Sequence, residues 1–262
     1  MVFCMSNGEI SLHGAPNFRS LHGLRMADGR RIRNHAILRS DQLCELTADD
    51  WVTLRSIGLK AICDLRSDAE RARLPNRTPA DGGFLELAME VVSDVRNERH
   101  ARLLAEQPNA RGAAALMQAI YRELPKSMAS HLRRILQLFE DGTAPVLIHC
   151  AAGKDRTGFA VAVLLHALGA DRETILADYL LSASNAPVTG DPRLEKLTHV
   201  LREMTSVNVG PDAIRALLDT REIYLQEALN EVNSEWGGLD GYLHALDFDT
   251  AARDRLRDHW LE

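Results

Sequence analysis

The passage from Pro145 to Gly169 constrains this chain more than any other. Pro145-Val146-Leu147-Ile148-His149 has the composition of a short strand buried on both faces, and Thr157 to Leu168 is an apolar helix ended by Gly169. Only the segment Cys150-Ala151-Ala152-Gly153-Lys154-Asp155-Arg156 separates them. A buried strand that runs almost directly into a buried helix is the unit from which α/β sheets are assembled.

The rest of the chain supplies the other layers. Residues 17–40 read as short strands with turns at His22-Gly23 and Asp28-Gly29, expected at the sheet edge. Thr47, followed by Ala48-Asp49-Asp50, is an N-cap with an acidic first turn, and its helix stops at Gly58. Leu59 to Leu65 is apolar apart from Lys60 and a terminal Asp64, as a strand inside a parallel sheet would be. After a loop over 75–83, Phe84 to Ala88 forms another short strand. Helical spacing then covers 96–107, 112–123 and 127–140, the last beginning after Pro125 with Ser127 as its cap. Beyond the N-cap Asp171 the chain is helical, with one long helix from Pro211 to about Asn233 and a final one from Thr250 to Trp260. These elements predict an α/β fold with a mostly parallel central sheet flanked by helices. The helical C-terminal portion, about 171–262, is expected to pack on that core in one domain spanning 1–262.

A formal net charge of -6 with scattered Lys and Arg gives no electrostatic footprint for nucleic acid. Cysteines at 4, 44, 63 and 150 have neither metal-ligand spacing nor the density of a disulfide-stapled domain. No window is long and apolar enough for stable membrane insertion, and no basic start leads into an apolar stretch, so a cytoplasmic protein is expected. Neither metal nor cofactor is called for, and oligomeric state has no signature here.

The loop itself carries chemistry. Five residues separate Cys150 from Arg156, enough for one turn of backbone to curl around a tetrahedral anion with the guanidinium beside it. Successive N–H groups of Ala151, Ala152, Gly153, Lys154, Asp155 and Arg156 form a nest, and the following helix adds its positive end. Such a cradle suits a phosphate dianion, which Arg156 can bind bidentately. The same positive field favours the thiolate of Cys150, the attacking form. Thr157 can donate its hydroxyl to the sulfur, and His149 can organise the loop through backbone contacts. Taken singly, Cys150 could be a buried small hydrophobe, Arg156 a surface residue and Gly153 and Gly158 ordinary turn glycines. A rhodanese-like sulfurtransferase also places a cysteine before a helix, and a phosphate-binding module without turnover would keep the same cradle.

The sequence His-Cys-Ala-Ala-Gly-Lys-Asp-Arg-Thr-Gly at 149–158 resembles the protein-tyrosine-phosphatase superfamily. Its Lys154-Asp155 pair resembles the bacterial atypical group of tyrosine and phosphoinositide phosphatases, the mycobacterial PtpB-type and listerial LipA-type enzymes. Asn17 to Gly23, Leu38-Arg39-Ser40, Asp64-Leu65-Arg66-Ser67 and Asp178 to Ser182 are similar to that group in the same order. The resemblance implies phosphate-monoester hydrolysis through a thiophosphate on Cys150, with a phosphorylated protein or peptide or a phosphoinositide as substrate. Ordinary tyrosine phosphatases carry their general acid in a Trp-Pro-Asp loop, and no such sequence occurs here. The resemblance instead gives the role to Asp155. Asp155 could alternatively be an ionised partner of a neighbouring Lys or Arg, and Asp94 is another candidate acid. Asp64, at the catalytic edge, is expected to bond Lys154 or to cap its own following turn. Lys154 could otherwise meet a second phosphate. Cys63 is a remote candidate for a disulfide with Cys150, and Tyr121, Met117 and Met128 are either cleft-lining or core.

Overall fold

The computed structural model describes residues 10–92, 98–185, 198–199, 201 and 208–262. Five strands form one sheet: β1 (Arg19–Ser20), β2 (Ile37–Ser40), β3 (Ala61–Asp64), β4 (Leu85–Ala88) and β5 (Val146–His149). Their order is β1-β2-β5-β3-β4, with β1 antiparallel to β2 and every other pairing parallel. All positions of β2, β3 and β5 are buried, which is why their sequences read as apolar runs rather than alternating ones. Of the segment expected at the sheet edge, only β1 lies there. β2 is interior, because Ile37 and Leu38 are buried on opposite faces and the strand pairs with β5.

Side-chain alternation divides the strands between two cores. Ile37, Ala61, Cys63, Val146 and Ile148 enter the larger cluster, and Leu38, Ile62 and Leu147 enter the smaller one under Trp51. The smaller face is covered by α1 (Ala48–Ser56), whose Thr47 forms a full capping box with Asp50. A second capping box, Ser67 with Glu70, starts α2 (Asp68–Arg73) directly beyond β3.

The larger face carries α3 (Glu98–Glu106), α4 (Ala110–Glu140), α5 (Asp155–Leu168) and α6 (Arg172–Asn185). α4 is one continuous helix of 31 residues with Pro125 inside it, not two segments separated at that proline. Ser127 therefore caps nothing, and its hydroxyl instead donates to Leu124 O at 3.3 Å. An interior proline removes one ladder bond. Here Tyr121, Leu124, Pro125 and Met128 are all buried on a shared face, and Tyr242 Oη donates to Pro125 O at 2.5 Å.

The expected long helix after Pro211 is broken into α7 (Pro211–Leu218) and α8 (Glu222–Trp236), followed by α9 (Leu239–Ala245) and α10 (Thr250–Trp260). Asp219 adopts an extended backbone at the break. α4 packs along α7 and α8, α5 packs against α6 and α10, and Leu225 and Leu256 share the cluster that holds Ile148 and Phe159. Among the described residues, no helix is long and apolar enough to cross a membrane.

Candidate active site

Parallel neighbours on both sides of β5 place its C-terminal end among the ends of β2 and β3, where ligands bind in α/β sheets. Cys150 follows β5 directly and is 2% exposed, and α5 begins at Asp155, two residues before the start expected from sequence. The turn between them is fastened from outside. Ala151 O accepts Gln42 N–H at 3.2 Å, Ala152 O accepts Asn17 Nδ2 at 2.9 Å and Gly153 O accepts Arg39 Nη2 at 2.8 Å. With three successive carbonyls drawn outward, the peptide N–H groups are left to the hollow of the loop. Gly153 has φ 65, and a Cβ there would lie 2.5 Å from Ser40 O, so only glycine fits.

The anchor Arg39 is itself anchored. Asp178 of α6 accepts from Arg39 Nη1 and from Arg19 Nε, the latter at 2.9 Å, while Arg19 Nη1 donates to Asn17 Oδ1 at 2.8 Å. Burial alone would raise the Asp178 pKa, but the charges of Arg39 and Arg19 outweigh it and hold the carboxyl below its usual range. Burial and the neighbouring Arg39 charge bring Arg19 down to about 10. Two guanidinium groups on one carboxylate leave net positive charge behind the phosphate loop.

Arg156 is clamped by Glu70, whose Oε2 and Oε1 accept from Nη1 at 2.6 Å and Nη2 at 3.0 Å, and Nη1 also donates to Leu65 O at 3.1 Å. Sequence reasoning missed Glu70. Its signal was the capping box Ser67-x-x-Glu70 immediately after the β3 end, since Glu70 Oε2 also accepts Ser67 N–H at 2.8 Å.

Asp64 does not bond Lys154. Arg66, two residues on, folds back on it through Nε at 2.9 Å and Nη2 at 2.7 Å, and Asn76 Nδ2 adds a contact at 3.2 Å. Burial pushes the Asp64 pKa up, but the Arg66 bonds and nearby charge hold it below the carboxylate norm. The cap alternative holds in part, because Asp64 Oδ1 accepts Arg66 N–H at 3.0 Å. Lys154 turns to the opposite side, where Nζ donates to Leu217 O, Leu218 O and Asp219 O at 3.0, 3.1 and 2.9 Å. It thereby caps the C-terminus of α7, whose orphan carbonyls and dipole favour a cation. Its side chain is committed there rather than to a second phosphate.

His149 is fully buried, with Nδ1 3.4 Å from Cys150 O and Nε2 3.5 Å from Asp64 Oδ2. Burial brings its pKa down to about 4 against the opposing pull of Asp64, so the ring is neutral and acts as scaffold. The Thr157 hydroxyl is buried without a hydrogen-bond partner among the described residues, so the bond to sulfur expected from sequence is not made. Cys63 and Cys150 are both free and enter the same core cluster, and burial pushes the Cys63 thiol up to about 12. Asp94 lies outside the described residues.

Asp155 stands at the rim with its side chain 26% exposed. Its Oδ1 accepts the Tyr121 hydroxyl at 2.5 Å and lies 3.5 Å from Lys154 Nζ. Tyr121, Met117 and Met128 are all core residues, Tyr121 alone reaching the loop with its polar end. Among the described residues, no cluster of His, Cys, Asp and Glu could hold a metal ion. Cys150, the fastened loop, the clamped Arg156 and the partly exposed Asp155 carboxyl are thus gathered at the C-terminal end of the central strand β5.

A model of the tyrosine phosphatase family matches residues 10–262. A Cupriavidus necator protein named as a tyrosine-protein phosphatase is 32% identical over 256 residues, covering 97% of this chain and 88% of its own. The triple specificity protein phosphatase PtpB of Mycobacterium tuberculosis is 31% identical over 276 residues, covering 94% of this chain and 96% of its own. Among solved structures, P. aeruginosa TpbA aligns at 18% identity over 70% of this chain and 87% of that chain, with a TM-score of 0.30. The family match runs through every segment gathered around the loop, and the chain belongs to the tyrosine phosphatase family.

Proposed function

We propose that this cysteine-dependent phosphatase acts on phosphorylated protein side chains, phosphotyrosine foremost, in two steps through a thiophosphate on Cys150. In the first step Cys150 Sγ attacks phosphorus, the ester P–O bond breaks, and Asp155 gives its proton to the departing oxygen. In the second, water attacks the thiophosphate, Asp155 takes up the water's proton, and the S–P bond breaks to return the thiolate and release phosphate. Loop N–H groups and Arg156 hold the equatorial oxygens, over which the charge of the transferring phosphoryl group is spread in the transition state.

The observation that carries this reading is the external fastening of the loop. Asn17 and Arg39 hold its carbonyls while Glu70 fixes the Arg156 fork, so the anion site is organised before substrate arrives. Catalytic electrostatics depend on that preorganisation. A protein-phosphate preference is supported by the names of the relatives, and by Lys154 Nζ, which is spent on the Leu217, Leu218 and Asp219 carbonyls rather than left for the extra phosphate of a phosphoinositide.

A parallel phosphate-release assay on phosphotyrosine, phosphoserine and phosphothreonine peptides and on phosphoinositide vesicles tests this, with Cys150→Ser as the blank. The expected result is turnover that is highest on phosphotyrosine peptides and absent from the blank. Preferred turnover of phosphoinositides would reject the substrate class, and an active Cys150→Ser would reject the route.

A further inference from the structure

Behind Asp155 lies a buried pair of tyrosines that the hydrolytic scheme does not use. Tyr121 of α4 is 0% exposed and Tyr179 of α6 is 1% exposed, with their hydroxyl oxygens 2.7 Å apart. Tyr121 Oη is in turn 2.5 Å from Asp155 Oδ1. A carboxylate oxygen can only accept, so the Tyr121 proton points at Asp155. Tyr179 must then donate to Tyr121, which makes a directed chain of Tyr179 to Tyr121 to Asp155. Each bond in such a chain polarises the next.

From this geometry we infer that Tyr121, backed by Tyr179, is a positioning residue that fixes the carboxyl of Asp155 and assigns its catalytic proton to Oδ2. A protonated carboxyl has one O–H and one carbonyl-type oxygen. Oδ1 faces the Tyr121 donor and lies 3.5 Å from the Lys154 ammonium, so it takes the carbonyl role. Only Oδ2 is left to present a proton to the leaving group. Burial, then the nearby Asp155 charge, push the Tyr121 hydroxyl well above its ordinary pKa, so it stays a donor. The loop sequence contains the accommodation this requires. A Cβ on Gly158 would lie 2.8 Å from the Tyr179 ring, so glycine after Arg156-Thr157 lets Tyr179 close onto the site. Asp178, next to Tyr179, holds Arg39, so one turn of α6 both braces the loop and orients its acid.

This inference rests on Asp155 being the acid, and the experiment separates the two claims. Hydrolysis of phenyl phosphate, a poor leaving group, is compared with that of p-nitrophenyl phosphate, a good one, in wild type, Asp155→Asn, Tyr121→Phe, Tyr179→Phe and the double variant Asp155→Asn/Tyr121→Phe. General acids contribute about 10²–10⁴-fold, felt most by poor leaving groups. Tyr121→Phe is expected to lower kcat about 10-fold more on phenyl than on nitrophenyl phosphate, and to add no further split when Asp155 is already Asn. Tyr179→Phe should show the same split at about 3-fold, and it decides the matter if Tyr121→Phe does not fold. Equal losses on both esters, or the same added split in the Asp155→Asn background, would overturn the positioning role. Absence of any split in Asp155→Asn itself would instead remove Asp155 as the acid, and this inference with it.

Discussion

Glu70 grips Arg156 through both carboxylate oxygens, while the same side chain caps α2. Replacing it with Gln keeps the size but removes the charge that orients a buried guanidinium. Glu70→Gln is expected to lower kcat/KM about 10-fold, or about 1.4 kcal/mol, with weaker inhibition by inorganic phosphate. Unchanged phosphate inhibition would show that Arg156 needs no such clamp. Lys154 makes a different prediction from the one its sequence position invites. Lys154→Met strips the three carbonyls at the end of α7, Leu217, Leu218 and the capping Asp219, of their donor, so the midpoint of thermal unfolding should fall by several degrees, corresponding to about 1–3 kcal/mol. Selective loss of phosphoinositide turnover at unchanged stability would return Lys154 to substrate binding. His149 has a folded-state pKa of about 4, below its ordinary 6.5, so the unfolded chain binds the extra proton between those values. Stability should therefore fall as pH drops from 6.5 towards 4, by about 3 kcal/mol, and His149→Asn should flatten that slope in denaturant unfolding. The depressed carboxylates Asp64 and Asp178 act in a lower window, losing their contribution as pH falls below the carboxylate norm of 3.8. The placing of Cys150 and Arg156 in one loop between β5 and α5 was legible because that spacing is local. Lys154 was misread because its partners lie more than sixty positions away, and no local pattern encodes such a contact.

Elements with chemical punctuation were the readable ones. Thr47 before two aspartates specified the start of α1, and Asp171 that of α6, where its Oδ1 accepts Thr174 N–H at 2.7 Å. Pro125 misled because local propensity was overridden by packing. The buried face of α4 runs unbroken from Leu116 to Phe139, and dividing the helix would expose it. The break between α7 and α8 had no Gly or Pro to announce it, and Lys154 reaches the carbonyls there from another part of the chain. α6 offers the sharpest test at this scale, since Asp178 pairs with the buried Arg39 and the partly buried Arg19, both of which brace the loop. Asp178→Asn leaves them uncompensated, at an expected cost of about 3–5 kcal/mol in denaturant unfolding with loss of phosphate binding. A stability change within the range of surface substitutions, about 0.5 kcal/mol, would contradict the bracing role.

Across the whole molecule, segments far apart in sequence meet at the C-terminal end of the central strand β5. Asn17 precedes β1, Arg39 lies on β2, Asp64 ends β3, Glu70 is on α2 and Asp178 on α6, and each makes a contact to the loop or to a residue that holds it. The resemblance read from Asn17 to Gly23, Leu38 to Ser40, Asp64 to Ser67 and Asp178 to Ser182 is thus explained physically, as the framework of a single anion site. Parallel order followed from apolar runs without alternation, whereas the interior place of β2 needed its pairing with β5 to be seen. The proposed route turns on one covalent event on one sulfur. Acid-quenched samples of the protein during turnover of a phosphotyrosine peptide, mapped by mass spectrometry, test that event most directly. A single phosphoryl group on the Cys150 peptide, missing in Cys150→Ser together with all turnover, is the predicted result; phosphate release by Cys150→Ser, or a phosphoryl group on another residue, would contradict it.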